Sequence, residues 1–368
     1  MKKLLISIIV FVLAVAFAWR AYGEPQLRVV TTLPDYKFFA EYIGGDRVVV
    51  DAIVQGDQDA HFIRPKPSFV SLVRQADLLI STGLDLELWL PTVVDKSGNP
   101  RVRSGQPGYV AASQGMKLLE KPQVMSRSEG GVHIYGNPHV NCSPINMKIA
   151  ARNIALGLIK NDPEGKAQYN ANLAELLDRL DRRLFGDQLV EFIGGETLCK
   201  LAEKGTLISF LKEREFRGKP LIDYLGGWLG EMLDLRGTPI VTYHKNWVYF
   251  IRLFGLEEAG TVEPKPGIPP SPQHVTDLVS HMKARGIKIL LAANYFDEQK
   301  IRTVAGRVGA EPVIVPLYVG GVEGVNDYFE LVDYWIDGII SAATTKGLVH
   351  SDHHQGHHGQ HHTGGGTP

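Results

Sequence analysis

Apolar and polar positions follow two rhythms along the chain. LRVVTTLP (residues 27–34) is a mostly apolar run of strand length, and DYKFFAEYIGG after it spaces its apolar residues as a helix does before a glycine stop. VVVDAIV predicts a second strand, SFVSLVRQA a helix, and DLLISTG a third strand. From Lys96 to Gly136 the pattern dissolves into Gly, Ser and Pro, which predicts irregular chain with one short strand. Helical spacing resumes in INMKIAARNIALGLIK, breaks at NDPEG, and continues in the long amphipathic segment KAQYNANLAELLDRLDRRLF.

The second half repeats the first rhythm. TPIVTYH, KILLAANY and EPVIVPLYV read as strands; VTDLVSHMKARG, DEQKIRTVAGRVG and the closing DYFELVDYWIDGIISAAT read as helices. Strands alternating with helices imply largely parallel sheets covered on both faces. The predicted fold class is α/β in two lobes, each a mostly parallel sheet flanked by helices, with ligands bound in the cleft between them. The expected division is residues 24–162 for the first lobe, 163–187 for a linking helix and 188–346 for the second lobe. Phe185 to Arg236, with GGETLCKLAEKG and DYLGGWLGEMLD, has no clear pattern and reads as an elaboration of that second lobe.

The first 23 residues change the picture of where the protein works. MKKLLISIIVFVLAVAFAWRAYG has a basic start, a short apolar run and small residues near its end, the pattern of a secretory signal peptide cleaved after Gly23. The alternative is an uncleaved anchor, but the run is short for a spanning helix and Arg20 closes it. No cysteine follows the run, so a lipid-anchored form is not expected, and a soluble periplasmic protein is. Export in turn makes Cys142 and Cys199, the two cysteines, a candidate disulfide, with a soft thiolate metal site as the weaker alternative. With 368 residues, 44% hydrophobic, the chain can bury one large core or two medium ones, and a formal net charge of -1 offers no basic field for nucleic acid.

Histidine is the candidate chemistry. Seven of the thirteen histidines lie in HSDHHQGHHGQHH, between His350 and His362. Such a Gly-, Ser- and Gln-rich tail (residues 347–368) is expected to be disordered and to pay ordering entropy on closing round an ion. Its pairs His353 and His354, His357 and His358, and His361 and His362 suit weak scavenging of metal rather than a fixed site. Three single histidines have better placement. His61 lies in a loop after the second strand, His139 follows Asn137-Pro138 in another, and His244 ends a strand; parallel sheets carry their functional groups at such strand ends. His133, His274 and His281 read as structural histidines.

DAHFIRPKPS, GNPHV and TYHKNWVYFIRLFGL, followed by PKPGIPPSPQH, resemble in order the histidine motifs of the zinc- and manganese-binding proteins of ABC importers, the TroA-like, cluster A-I solute-binding proteins. The resemblance covers nearly the whole mature chain. It implies two α/β lobes bridged by one long helix, with His61 and His139 as metal ligands from the first and His244 from the second. It also implies delivery to an ABC permease by a protein that works as a monomer. The chain departs from the family in three places. Asn141, Cys142 and Ser143 stand where the second motif often continues with Trp and Asp-Pro. PLYVGGVEGVNDYF has glycines where a ligating carboxylate is often found, and AANYFDEQ shows Ala293 and Asn294 in place of a Glu-Pro pair. The fourth ligand is therefore open between Glu323, Asp297, Asp327 and water.

Three neutral imidazoles suit tetrahedral Zn²⁺, whereas manganese prefers oxygen donors and copper would have to be excluded by geometry and supply. Zinc is the expected cargo, held more weakly as pH falls below about 6.5, where free imidazole protonates. A homologue carrying manganese, iron or copper and a periplasmic zinc chaperone or adhesion protein are the neighbouring readings. A zinc hydrolase is the rival of another class, but HExxH is absent and no acid–base pair flanks the three motifs.

Overall fold

The computed structural model describes residues 26–121, 133–264 and 267–349. The expected signal peptide and the histidine tail lie outside the described residues. In the first half, strands β1 (Leu27–Thr31), β2 (Val48–Ala52), β3 (Leu78–Ser81) and β4 (Tyr109–Ala111) form a sheet in the order β2-β1-β3-β4. Every pairing is parallel, with Val29 opposite Val50 on one side and Leu78 on the other. Helices α1 (Pro34–Gly44), α2 (Pro67–Gln75) and α3 (Leu90–Ser97) make the connections. The second sheet has the order β10-β9-β7-β8 and is likewise parallel throughout. Its strands are β7 (Pro239–Thr242), β8 (Glu257–Thr261), β9 (Ile289–Ala293) and β10 (Glu311–Val315). β3 and β9 are buried at every position, which is why they read as continuous apolar runs rather than as alternating ones.

Between the sheets the chain runs through α4 (Pro144–Asn161) and α5 (Lys166–Phe185), broken at Asp162-Pro163 as NDPEG predicts. Proline occupies the first turn of α1 to α4, where its missing N–H costs nothing and its fixed φ favours the helix. The stretch without a clear pattern resolves into short helices α6 (Asp187–Ile193), α7 (Gly195–Lys204) and α8 (Leu207–Glu213), the two-residue strands β5 (Glu215–Phe216) and β6 (Lys219–Pro220), and α9 (Gly227–Glu231). Beyond β7 come α10 (Val248–Phe254), α11 (Pro272–Arg285), α12 (Glu298–Gly306) and α13 (Tyr328–Thr345). Two of these elements, α10 and β8, lie in sequence that gave no separate strand or helix signal.

One hydrophobic cluster runs through both halves, from Leu27, Phe39 and Leu79 to Trp247, Trp335 and Ile339, and a smaller one backs the second sheet around Val241, Leu290 and Ile301. The halves also touch through backbone. A Cβ added to Gly56, in the loop after β2, would overlap the backbone of Val319 to Gly321, and one on Gly321 would stand 2.6 Å from the Gly56 oxygen. Gly321 is thus required by a close approach of two loops from opposite halves, and Gly320 by its positive φ of 75°.

The expected disulfide is not formed. Cys142 and Cys199 are both free and buried. Cys142 sits in the 3-10 turn ahead of α4, whereas Cys199 on α7 stands 3.3 Å from the Lys148 ammonium and 3.4 Å from Asp181. Burial holds both thiols in the protonated form, pushing Cys199 up to about 12, which also argues against a thiolate metal site.

Candidate metal centre

His61 stands in the 3-10 turn Ala60–Phe62, which the Trp89 indole fixes by donating to the Ala60 carbonyl at 2.8 Å. Asp59 caps that turn, accepting from the His61 backbone N–H at 2.9 Å and from ring Nδ1 at 2.8 Å. Burial opposes the charge on Asp59, but its hydrogen bonds from His61 and the nearby imidazoles outweigh it and hold the carboxyl below its ordinary range.

His139 is held by the same device in neutral form. Asn137 accepts from its backbone N–H at 3.0 Å and lies 2.9 Å from its Nδ1. The Asn137 amide in turn donates to the Lys245 carbonyl at 2.7 Å, and its own carbonyl accepts from Tyr249 at 2.7 Å. The second motif is therefore tied to the third across the halves. His139 is fully buried, and burial together with the neighbouring imidazoles keeps it neutral well below the usual range. His244, two residues past β7, bonds through Nδ1 to Glu263, just beyond β8. The Glu263 backbone N–H donates to the Tyr243 carbonyl at 2.8 Å, which fixes the two strand ends side by side.

Each ring thus has its Nδ1 engaged by an oxygen acceptor, which leaves Nε2 as the nitrogen available to a metal. The rings meet at 5.1 Å for His61–His139, 5.5 Å for His139–His244 and 6.0 Å for His61–His244. One ligand atom from each lies within 4.8 Å of the others. His139 Nε2 is buried with no hydrogen-bond partner in the protein, the expected state of an atom reserved for a cation.

The carboxylates considered for a fourth position are occupied elsewhere. Asp327 caps α13 in a capping box with Glu330, and Asp297 caps α12 at the surface, paired with Lys300 at 3.4 Å. Glu323 is exposed, in a loop drawn down at Gly321 by contact with Gly56 and by a 2.8 Å bond from Asn294 to the Gly321 carbonyl. Among the described residues none of the three belongs to the histidine group. Four participants are not evident in the sequence. Asp59, Asn137 and Glu263 are ordinary polar residues there, and only His133, six positions before His139 in one loop, carries a signal. Its Nε2 lies 3.1 Å from that of His61.

The family model described as "Zinc-uptake complex component A periplasmic" (ZnuA) matches residues 29–183 and 222–342. The chain belongs to this family. The family's members are metal-binding, extracytoplasmic components of ABC metal transporters. The unmatched residues 184–221 take in α6, α7 and α8. Among individual relatives, the high-affinity zinc uptake system protein ZnuA of Bacillus subtilis is 23% identical over 87% of this chain and 89% of its own length. The manganese ABC transporter substrate-binding lipoprotein PsaA of Streptococcus anginosus is 24% identical over 92% and 98%. A crystal structure of ZnuA superposes with a TM-score of 0.64 at 22% identity, covering 86% of this chain and 99% of that one. Within the family, then, the donor set must decide between zinc and manganese. No helix among the described residues is long and apolar enough to cross a membrane.

Proposed function

We propose that the protein captures Zn²⁺ in the periplasm through His61, His139 and His244 and delivers it to the permease of an ABC importer. The observation that carries this reading is the close group of three imidazoles, His139 and His244 buried and His61 part-buried, each with Nδ1 bonded to Asn137, Glu263 or Asp59. An oxygen acceptor on Nδ1 fixes the tautomer and makes Nε2 more basic, the usual support for a zinc-ligating histidine. Nitrogen donors favour zinc over manganese, which takes oxygen ligands. The relatives include both a zinc uptake protein and a manganese-binding one, so the preference rests on the donors of this chain. The first 23 residues are proposed to direct export and to be removed without lipid attachment, the mature protein acting as a monomer. The tail histidines are proposed to gather zinc weakly near the cleft.

Single His61→Ala, His139→Ala and His244→Ala variants test the assignment by competition with a chelator of known affinity. Each should lose zinc at least a hundredfold more readily, and wild type should prefer zinc to manganese. Retention of tight zinc by all three variants would sink the site, and a preference for manganese would overturn the choice of cargo.

A further inference from the structure

His133 approaches the cluster from the side of His61. The turn His133 to Gly136, closed by a 3.0 Å backbone bond, and a 2.9 Å bond from Asn137 to the Leu119 carbonyl set the course of this loop. The His133 ring lies 5.1 Å from that of His61 and 6.1 Å from that of His139. Asp59 holds the His61 proton on Nδ1, so His61 Nε2 presents a lone pair. A second bare nitrogen 3.1 Å away would repel it, so in the metal-free protein His133 Nε2 carries a hydrogen directed into the cluster. Tetrahedral zinc with nitrogen ligands at about 2.0–2.1 Å separates those nitrogens by about 3.3–3.4 Å. The His61–His133 spacing is thus within a few tenths of an ångström of a ligand edge, but His133 stands outside the close group of His61, His139 and His244, so its ring must swing inward to reach the cation.

We propose that His133 is the fourth ligand of the bound zinc, its Nε2 turning from hydrogen-bond donor to metal donor as the ring proton moves to Nδ1. The ring is neutral before and after, so no net proton is released by this step. The proposal rests on the His61–His139–His244 reading and completes it. The loop at Gly320 and Gly321 packs against Gly56 and offers no side-chain donor there, and a histidine from the first half takes the fourth place. The result is an all-imidazole, four-coordinate site, which strengthens discrimination against manganese.

X-ray absorption at the zinc edge tests this on the full chain loaded with Zn²⁺ below one equivalent, so that only the tightest site fills. Wild type should show four imidazoles and His133→Ala three, with release to excess chelator at least tenfold faster in the variant. His133→Asp should slow release again relative to His133→Ala and shift preference toward Mn²⁺. Three imidazoles in wild type, or an unchanged release rate in His133→Ala, overturns the proposal while leaving the trio intact. A wild-type chain without tight zinc overturns both.

Discussion

At the scale of single residues, the site is made by the partners of the histidines as much as by the histidines. An imidazole on a loop can rotate and can carry its proton on either nitrogen; it becomes a ligand of fixed geometry when Nδ1 is committed elsewhere. Asp59, Asn137 and Glu263 do this with three different elements and two different charges. The two carboxylates would add negative charge beside a bound cation, whereas Asn137 adds none and instead spans the halves through Lys245 and Tyr249. Replacing Glu263 by Gln keeps the size but lets the amide present N–H or O to the ring. Zinc affinity is expected to fall about 10- to 100-fold, with the zinc-free melting temperature little changed. Isothermal titration with zinc on the two proteins checks it, and an unchanged affinity would mean that Glu263 has no part in holding the tautomer.

At the scale of elements, the strongest periodic signals were legible and the long-range ones were not. Buried parallel strands such as β3 and β9 announce themselves as apolar runs, and proline marks the starts of α1, α2, α4 and α11. β8 was missed because its residues, EEAGT, are half-exposed with a glycine, and only pairing with β7 makes them a strand. That the three histidines come together was legible from their motifs, although only His244 stands at a strand end while His61 and His139 lie at 3-10 turns; Glu263 and His133 become visible only when loops distant in sequence are brought together. The disulfide failed for the same reason, since two cysteines in one compartment say nothing about their separation. Asp327 shows the converse: a carboxylate in the right loop turns out to be a helix cap, its side chain accepting from the Glu330 N–H at 2.8 Å. Asp327→Ala should therefore cost about 1 kcal/mol of stability and leave zinc affinity unchanged. Chemical denaturation and a chelator competition separate the two effects, and a fall in affinity without loss of stability would return Asp327 to the ligand list.

At the scale of the whole molecule, the two halves are joined by a buried polar junction as well as by the shared core. Asp35 at the start of α1 accepts from the Val319 backbone N–H at 2.8 Å and from the Asn141 amide at 2.9 Å. Asn141 also donates to the Leu317 carbonyl at 3.1 Å, and its own carbonyl accepts from Tyr328 at 2.6 Å. One departure from the family motif is therefore a knot between the halves, two residues from His139. Burial raises the Asp35 carboxyl from its ordinary 3.8 to about 7, against the two hydrogen bonds that lower it. A carboxyl raised in the fold binds its proton more tightly there than in the unfolded chain. Its contribution to stability is thus full below pH 3.8 and is lost as pH rises through about 7. The loss amounts to a few kcal/mol at most, because three pKa units at about 1.4 kcal/mol each set the ceiling. Asp35→Asn keeps an acceptor for Val319 but cannot ionise. Its stability, measured by urea unfolding in excess chelator at pH 5 and pH 8, should fall less between those values than that of wild type. Because every other titrating group is common to both proteins, the difference isolates Asp35, and equal slopes would show that its carboxyl already ionises in the fold at pH 5.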